Sequence, residues 1–133
     1  YSIAVFGLPV WKHFENIEIE QLHNLNVHIA YPEYINYESD EVKKFVKNFV
    51  KKFKGYPSNY SFQGFDVTYF YLNMLKNYGY HFASYLPDAS LTSLQTFNDY
   101  QKIGIGSGYE NKSVFILKYE DYELIPKFTG NPR

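Results

Sequence analysis

Gly104-Ile105-Gly106-Ser107-Gly108 has the look of a phosphate-cradling loop. That chemistry needs a strand before the glycines and a helix after them, so that the helix N-terminus meets the anion. Here period-two segments stand on both sides, and the run reads as a hairpin turn. The four histidines, His13, His23, His28 and His81, form no i,i+4 pair and have no carboxylate placed to complete a ligand set. No metal is expected. Ser61 and Ser107 lack the Gly-x-Ser-x-Gly elbow of a nucleophile. Cysteine is absent, which removes thiol catalysis, zinc–thiolate sites and disulfides. Asn59-Tyr60-Ser61 and Asn111-Lys112-Ser113 match the glycosylation sequon, a pattern frequent by chance. With no nucleophile and no acid–base pair, the chain reads as non-enzymatic and without a cofactor.

Binding residues are sought by a different rule. In open α/β sheets, ligands lie beyond the carboxyl ends of the strands. Those ends are expected at residues 7–11 and 31–34, which makes Trp11, Tyr31, Glu33 and Tyr34 the candidates to line a cleft. Aromatics with a few polar groups suit a small solute. Packing against neighbouring loops remains an equal alternative. Asp66 is expected to cap a helix or to sit in its first turn.

The elements that would position these residues can be read in order. Residues 2–6 form a short apolar run, the pattern of a buried parallel strand. An irregular helical pattern reaches about Asn24, and Val27–Tyr31 is a second strand. Ser39–Lys54 is a helix with Ser39 as N-cap and Asp40 and Glu41 in its first turn. Val42, Phe45, Val46, Phe49, Val50 and Phe53 form its apolar stripe. Its lysines read as a solvated face, and Gly55 is expected to close it. Residues 56–66 read as a loop with turn punctuation at Pro57 and Gly64. A helix of about four turns follows and closes at Gly79. It is apolar on nearly every face, so it must be covered on more than one side. Residues 80–86 make one more short helix and 89–96 a connector. Strands are expected at 97–103, 113–119 and 122–126, as an antiparallel meander.

Composition sets outer limits. The 133 residues make one domain or a piece of one. The formal net charge is −1, so no global field recruits nucleic acid or an anionic membrane. Aromatic residues make up 21% of the chain, more than a core of this size requires. Some rings are therefore expected on a binding surface or an interface; biased genome composition would produce the same richness. No run approaches the length of a membrane span, and no signal peptide is visible. Because the chain opens inside a strand-like run, a longer N-terminal portion is expected to precede it.

Four stretches carry a family resemblance. They are Val5-Phe6-Gly7-Leu8-Pro9-Val10-Trp11, the segment from Phe45 to Pro57, Phe62-Gln63-Gly64-Phe65-Asp66 and the run from Gly108 to Phe115. In this order they resemble the C-terminal part of type I periplasmic solute-binding proteins. The resemblance is to the branched-chain-amino-acid-binding-like group, including versions found in Bacteroidetes-type bacteria. The family usually reads Tyr-Asp where this chain has Phe65-Asp66, a change that removes a hydroxyl. The resemblance implies an α/β fold, a partial Rossmann-like three-layer lobe with a C-terminal antiparallel β meander. Residues 1–55 would be a βαβα segment of the C-terminal lobe. Residues 56–96 would be a helical crossover completing the N-terminal lobe, and residues 97–133 a returning meander. Phe65 and Asp66 join the ligand-binding candidates. The implied role is non-enzymatic binding of a small amino-acid-like solute between two lobes, within an exported receptor of the ABC-transporter type. A membrane permease or envelope partner and a periplasmic or cell-envelope location go with it. The alternative is an envelope interaction domain that keeps the fold without solute binding. With part of its covering sheet elsewhere, the isolated chain is expected to self-associate.

Overall fold

Ser39 does what a serine ahead of an acidic first turn should do. Its Oγ accepts the N–H of Val42 at 3.2 Å and opens a helix over Asp40–Phe53. The structure, a computed structural model, describes residues 3–13, 16–89, 91 and 93–129. The fold is mixed α/β. The described residues hold three α-helices, a mixed four-stranded sheet and a separate antiparallel pair. They fall into two units. The first is Tyr1–Pro32 with Val114–Arg133, and the second is Glu33–Ser113.

The first unit carries the sheet. Strand β1 is Phe6–Gly7 and runs parallel to β2, His28–Tyr31, with helix α1, Ile19–Asn24, between them. The parallel pairing is as the sequence suggests, but the strand is shorter than residues 2–6, and Ser2 lies outside the described residues. Nor is β1 buried: it is the sheet's edge, and Phe6 is exposed, its ring stacked on His28. Strand β5, Phe115–Glu120, pairs antiparallel with β2 and with β6, Glu123–Thr129. The register between β5 and β6 slips at Ile116/Leu117, where Pro126 enters the outer strand. Proline is tolerated there because an edge strand needs fewer ladder donors. One face of the sheet holds the core: Leu22 of α1 with Val27, Ile29 and Tyr119. Burial holds the Tyr119 hydroxyl above its ordinary pKa. On the hairpin, Glu120 meets Lys118 and Lys127, and these bonds lower its carboxyl pKa.

The second unit is built on two helices. In α2, Asp40–Phe53, Val42 is buried, Phe45 and Phe49 are half-buried, and Phe53 is exposed. The left-handed residue after it is Lys54, with φ 58°, not Gly55 as the sequence suggests. Helix α3 spans Asn59–Tyr78. Its start corrects the loop expected over residues 56–66. The Ser58 N–H donates to Ser61 Oγ at 3.2 Å, so a serine pair opens the helix ahead of Phe62. Gly64 is then an interior, exposed helical position, a placement that costs about 1 kcal/mol and is outweighed by the packing around it. Phe62, Asp66, Phe70 and Met74 are buried at a spacing of four, while the flanks of the helix, Val67 and Leu72 among them, stay exposed. Within this unit α3 is met by α2 through Phe45 and by the segment after it through Leu86 and Ala89, and its remaining flank is left without cover among the described residues.

After α3 comes a 3-10 helix over Gly79–Asp88, where the sequence suggests a short helix at 80–86. Strands β3, Tyr100–Lys102, and β4, Tyr109–Asn111, pair around the turn at 104–108, in keeping with the hairpin reading of the glycines. They do not join the main sheet, which breaks the single meander expected from residue 97 onward. Asn111 explains the separation. Its Oδ1 accepts from the N–H of Asp99 and of Ser113, and its Nδ2 donates to Phe97 O. This side chain ties the hairpin to its own flanks. It also occupies the side-chain amide that the second sequon would offer.

Candidate functional site

The site grows from one misfit on α3. An acid at the second of four buried positions must find donors, because an unpartnered buried carboxylate is too costly to keep. Asp66 is 2% exposed. Its Oδ1 accepts the N–H of Leu94 at 2.8 Å. Its Oδ2 accepts the N–H of Gln95 at 2.9 Å, the N–H of Thr96 at 3.1 Å and the Thr96 hydroxyl at 3.0 Å. Asp66 is thus the anchor of a distant loop, not the cap or first-turn residue expected of it. Consecutive N–H groups aimed at one carboxylate form a backbone nest around an anion.

The loop so anchored is polar and closed. Ser93 N–H donates to Thr96 O at 3.2 Å, and Asn98 Nδ2 donates to Leu91 O at 3.1 Å. Gln95 O accepts the N–H of Tyr34 at 2.8 Å. Gln95 itself is 1% exposed, yet neither its Nε2 nor its Oε1 has a hydrogen-bond partner among the described residues. Ser93 Oγ and Asp99 Oδ2 are buried and unpartnered in the same way. Three such groups on residues 93–99 are unusual, since buried polar atoms are nearly always paired. As chemistry, the segment offers donors at Ser93 Oγ and Gln95 Nε2 and acceptors at Gln95 Oε1 and Asp99 Oδ2.

Of the six candidate ligand residues, the structure ties Asp66 and Tyr34 to this loop, both through hydrogen bonds to its backbone. Glu33 adjoins Tyr34 in the chain and is half-buried. Phe65 turns to another side of α3, where its ring packs on Phe45 at 4.9 Å and stacks on Tyr69. Trp11 and Tyr31 belong to the first unit and pack against its core. Trp11 lies so close to Gly7 that a Cβ there would come within 2.4 Å of the indole. Glycine is what allows the ring onto the strand.

Ser93 and Gln95 escape a reading of the sequence because residues 89–96 look like a plain connector, and Asp99 because residues 97–103 read as a strand. The signal available is the spacing of Phe62, Asp66, Phe70 and Met74. An acid on a buried ridge demands a donor-rich partner segment, and 93–96 is a small polar run downstream. Among the described residues, no group of histidines and acids could hold a metal ion, and no helix is long and apolar enough to cross a membrane. Comparison with known proteins finds no matching family model, no matching curated protein and no matching solved structure.

Proposed function

We propose that the chain is a non-enzymatic binding module whose second unit takes a small zwitterionic, amino-acid-like solute at residues 93–99. The observation that carries this reading is the set of buried polar groups on that segment with no partner among the described residues: Ser93, Gln95 and Asp99. A carboxylate of the solute would meet the Ser93 hydroxyl and the Gln95 amide N–H. An ammonium would meet Gln95 Oε1 and the Asp99 carboxylate. These atoms are closed to solvent, so entry requires the loop to open and binding would favour one of its states. Asp66 would hold the loop's backbone while the loop's side chains take up the solute. The wider setting proposed is an exported, ABC-transporter-type receptor with a permease partner in the cell envelope. The parallel β1–β2 pair joined through α1 supports a Rossmann-like lobe of the type I periplasmic kind.

The exposed flank of α3 favours a second reading, an envelope interaction domain, since soluble monomers seldom display large contiguous apolar patches.

Calorimetry with a panel of free amino acids tests the first reading, with Gln95→Leu as the diagnostic variant. Replacing an unpartnered buried amide with a similar apolar side chain removes a desolvation penalty of about 1–3 kcal/mol. Gln95→Leu should therefore raise the melting temperature by about 5 °C and abolish solute binding. A parent chain that binds no amino acid ends the solute reading. A variant that binds as well as its parent moves the site away from Gln95.

A further inference from the structure

We propose that the α2–α3 corner docks on an anionic lipid bilayer. Between Glu41 and Asp88 the sequence holds seven lysines and a single acid, Asp66. That acid is buried and spent on the 94–96 backbone. Apart from Asp40 and Glu41, exposed in the first turn of α2, the charges on the outer surface of this helical pair are therefore all cationic, although the chain as a whole carries −1. At physiological ionic strength only charges within about 8 Å act strongly, so the local balance governs what this surface attracts.

The corner adds aromatic rings to this charge. Phe53 is 60% exposed, Tyr56 85% and Tyr60 84%. Lys51, Lys52 and Lys54 stand among them, all exposed, with the Lys52 ammonium 5.4 Å from the centre of the Phe53 ring. Phe53 continues inward through Phe49, at 4.6 Å, to Phe45 and Phe62. The outermost ring thus ends a packed aromatic column and is backed by the interior. Exposed rings flanked by lysines match the headgroup layer, where tyrosine and phenylalanine enter the acyl boundary and lysines reach anionic phosphates. Single-stranded nucleic acid would also meet lysines and rings, but it favours a basic groove with rings stacked along it. Here Phe53, Tyr56 and Tyr60 fall together around the α2–α3 connection, and the segment contains no arginine. This inference does not depend on solute binding.

Co-sedimentation of the chain with vesicles tests it, using phosphatidylcholine alone and phosphatidylcholine mixed with phosphatidylglycerol. Binding is expected only to the mixed vesicles and should weaken steeply with added salt. Changing Lys51, Lys52 and Lys54 together to Gln should lower the partition constant on the order of a hundred-fold. Phe53→Ser with Tyr56→Ser should lower it about tenfold and leave the salt dependence in place. All five positions are exposed, so circular dichroism should show both variants folded. Failure to bind mixed vesicles, equal binding to neutral ones, or variants that bind like the parent would overturn the proposal. So would tighter binding to a single-stranded oligonucleotide than to the mixed vesicles, which would mark the corner as a nucleic-acid surface.

Discussion

Asp66→Ala should unfold the Glu33–Ser113 unit. The carboxylate takes four hydrogen bonds from residues 94–96, three of them from backbone N–H groups. Hydrogen bonds to a charged acceptor contribute about 1.5–3 kcal/mol each, and a buried donor left without a partner costs its full desolvation penalty. A loss of about 4 kcal/mol or more is expected. At about 0.1 kcal/mol per residue, a unit of this length is held by only several kcal/mol, so its folded population should collapse. Thr96→Val removes one bond of the four and should cost about 1 kcal/mol. Two probes separate the units. The only tryptophan, Trp11, lies in the first unit, so its fluorescence reports there. Hydrogen exchange along α3 reports on the second. Unchanged α3 protection in Asp66→Ala would show that residues 94–96 find other acceptors.

Phe70→Ala should cost about 3–5 kcal/mol, the range for deleting a fully buried aromatic ring. Phe70 is 1% exposed and packs with Met74, Leu86 and Ala89, its ring 5.3 Å from that of Tyr100. Phe65→Ala, on an exposed side of the same helix, should cost under about 1 kcal/mol. Equal urea midpoints for the two variants would contradict the assignment of the buried ridge. A second signature comes from Tyr100. Burial first, and then its bond with Tyr71, raise its hydroxyl pKa above the ordinary tyrosine range. A group whose folded pKa is raised supports the fold fully below its unfolded value and withdraws that support as pH rises through the folded one. The parent should therefore lose stability as pH climbs past about 10. In Phe70→Ala, with water admitted to Tyr100, that alkaline loss should shrink.

How much of this was legible in the sequence depended on how far a residue's partner lies along the chain. Ser39 and Val42 are three residues apart, and the start of α2 could be read directly. The parallel β1–β2 pair and the turn at 104–108 also follow from local pattern. Gly64 misled because a glycine usually punctuates, and only the packing of Phe62 against Phe45 and Tyr37 overrides it. Asp66 misled for the opposite reason. A lone acid near a presumed helix start looks like a cap, and its real partners lie some thirty residues downstream. Trp11 could be placed at a strand end, but the sequence does not announce that Gly7 leaves room for its ring. Ser93, Gln95 and Asp99 carry no local signature at all. Their meaning comes from being closed off, a property of the fold and not of their neighbours in the chain.

The insertion of the second unit between β2 and β5 has a consequence for how the protein is made. Tyr31 pairs with Phe115 and His28 with Lys118, so the central pairing of the sheet joins residues from both ends of the chain. Until Glu33–Ser113 has been synthesised, β2 can pair with β1 but has nothing to pair with on its other side. Closing so long a segment as open coil is entropically unfavourable, and such non-local pairing is slow. A second unit that has already condensed shortens the effective loop to its two ends. During synthesis the helical unit would form first, and the sheet would be the last part to close. Damage to the Asp66 anchor would then reach the sheet as delay, leaving the edge of β2 open on the ribosome for longer and inviting pairing with a neighbouring nascent chain.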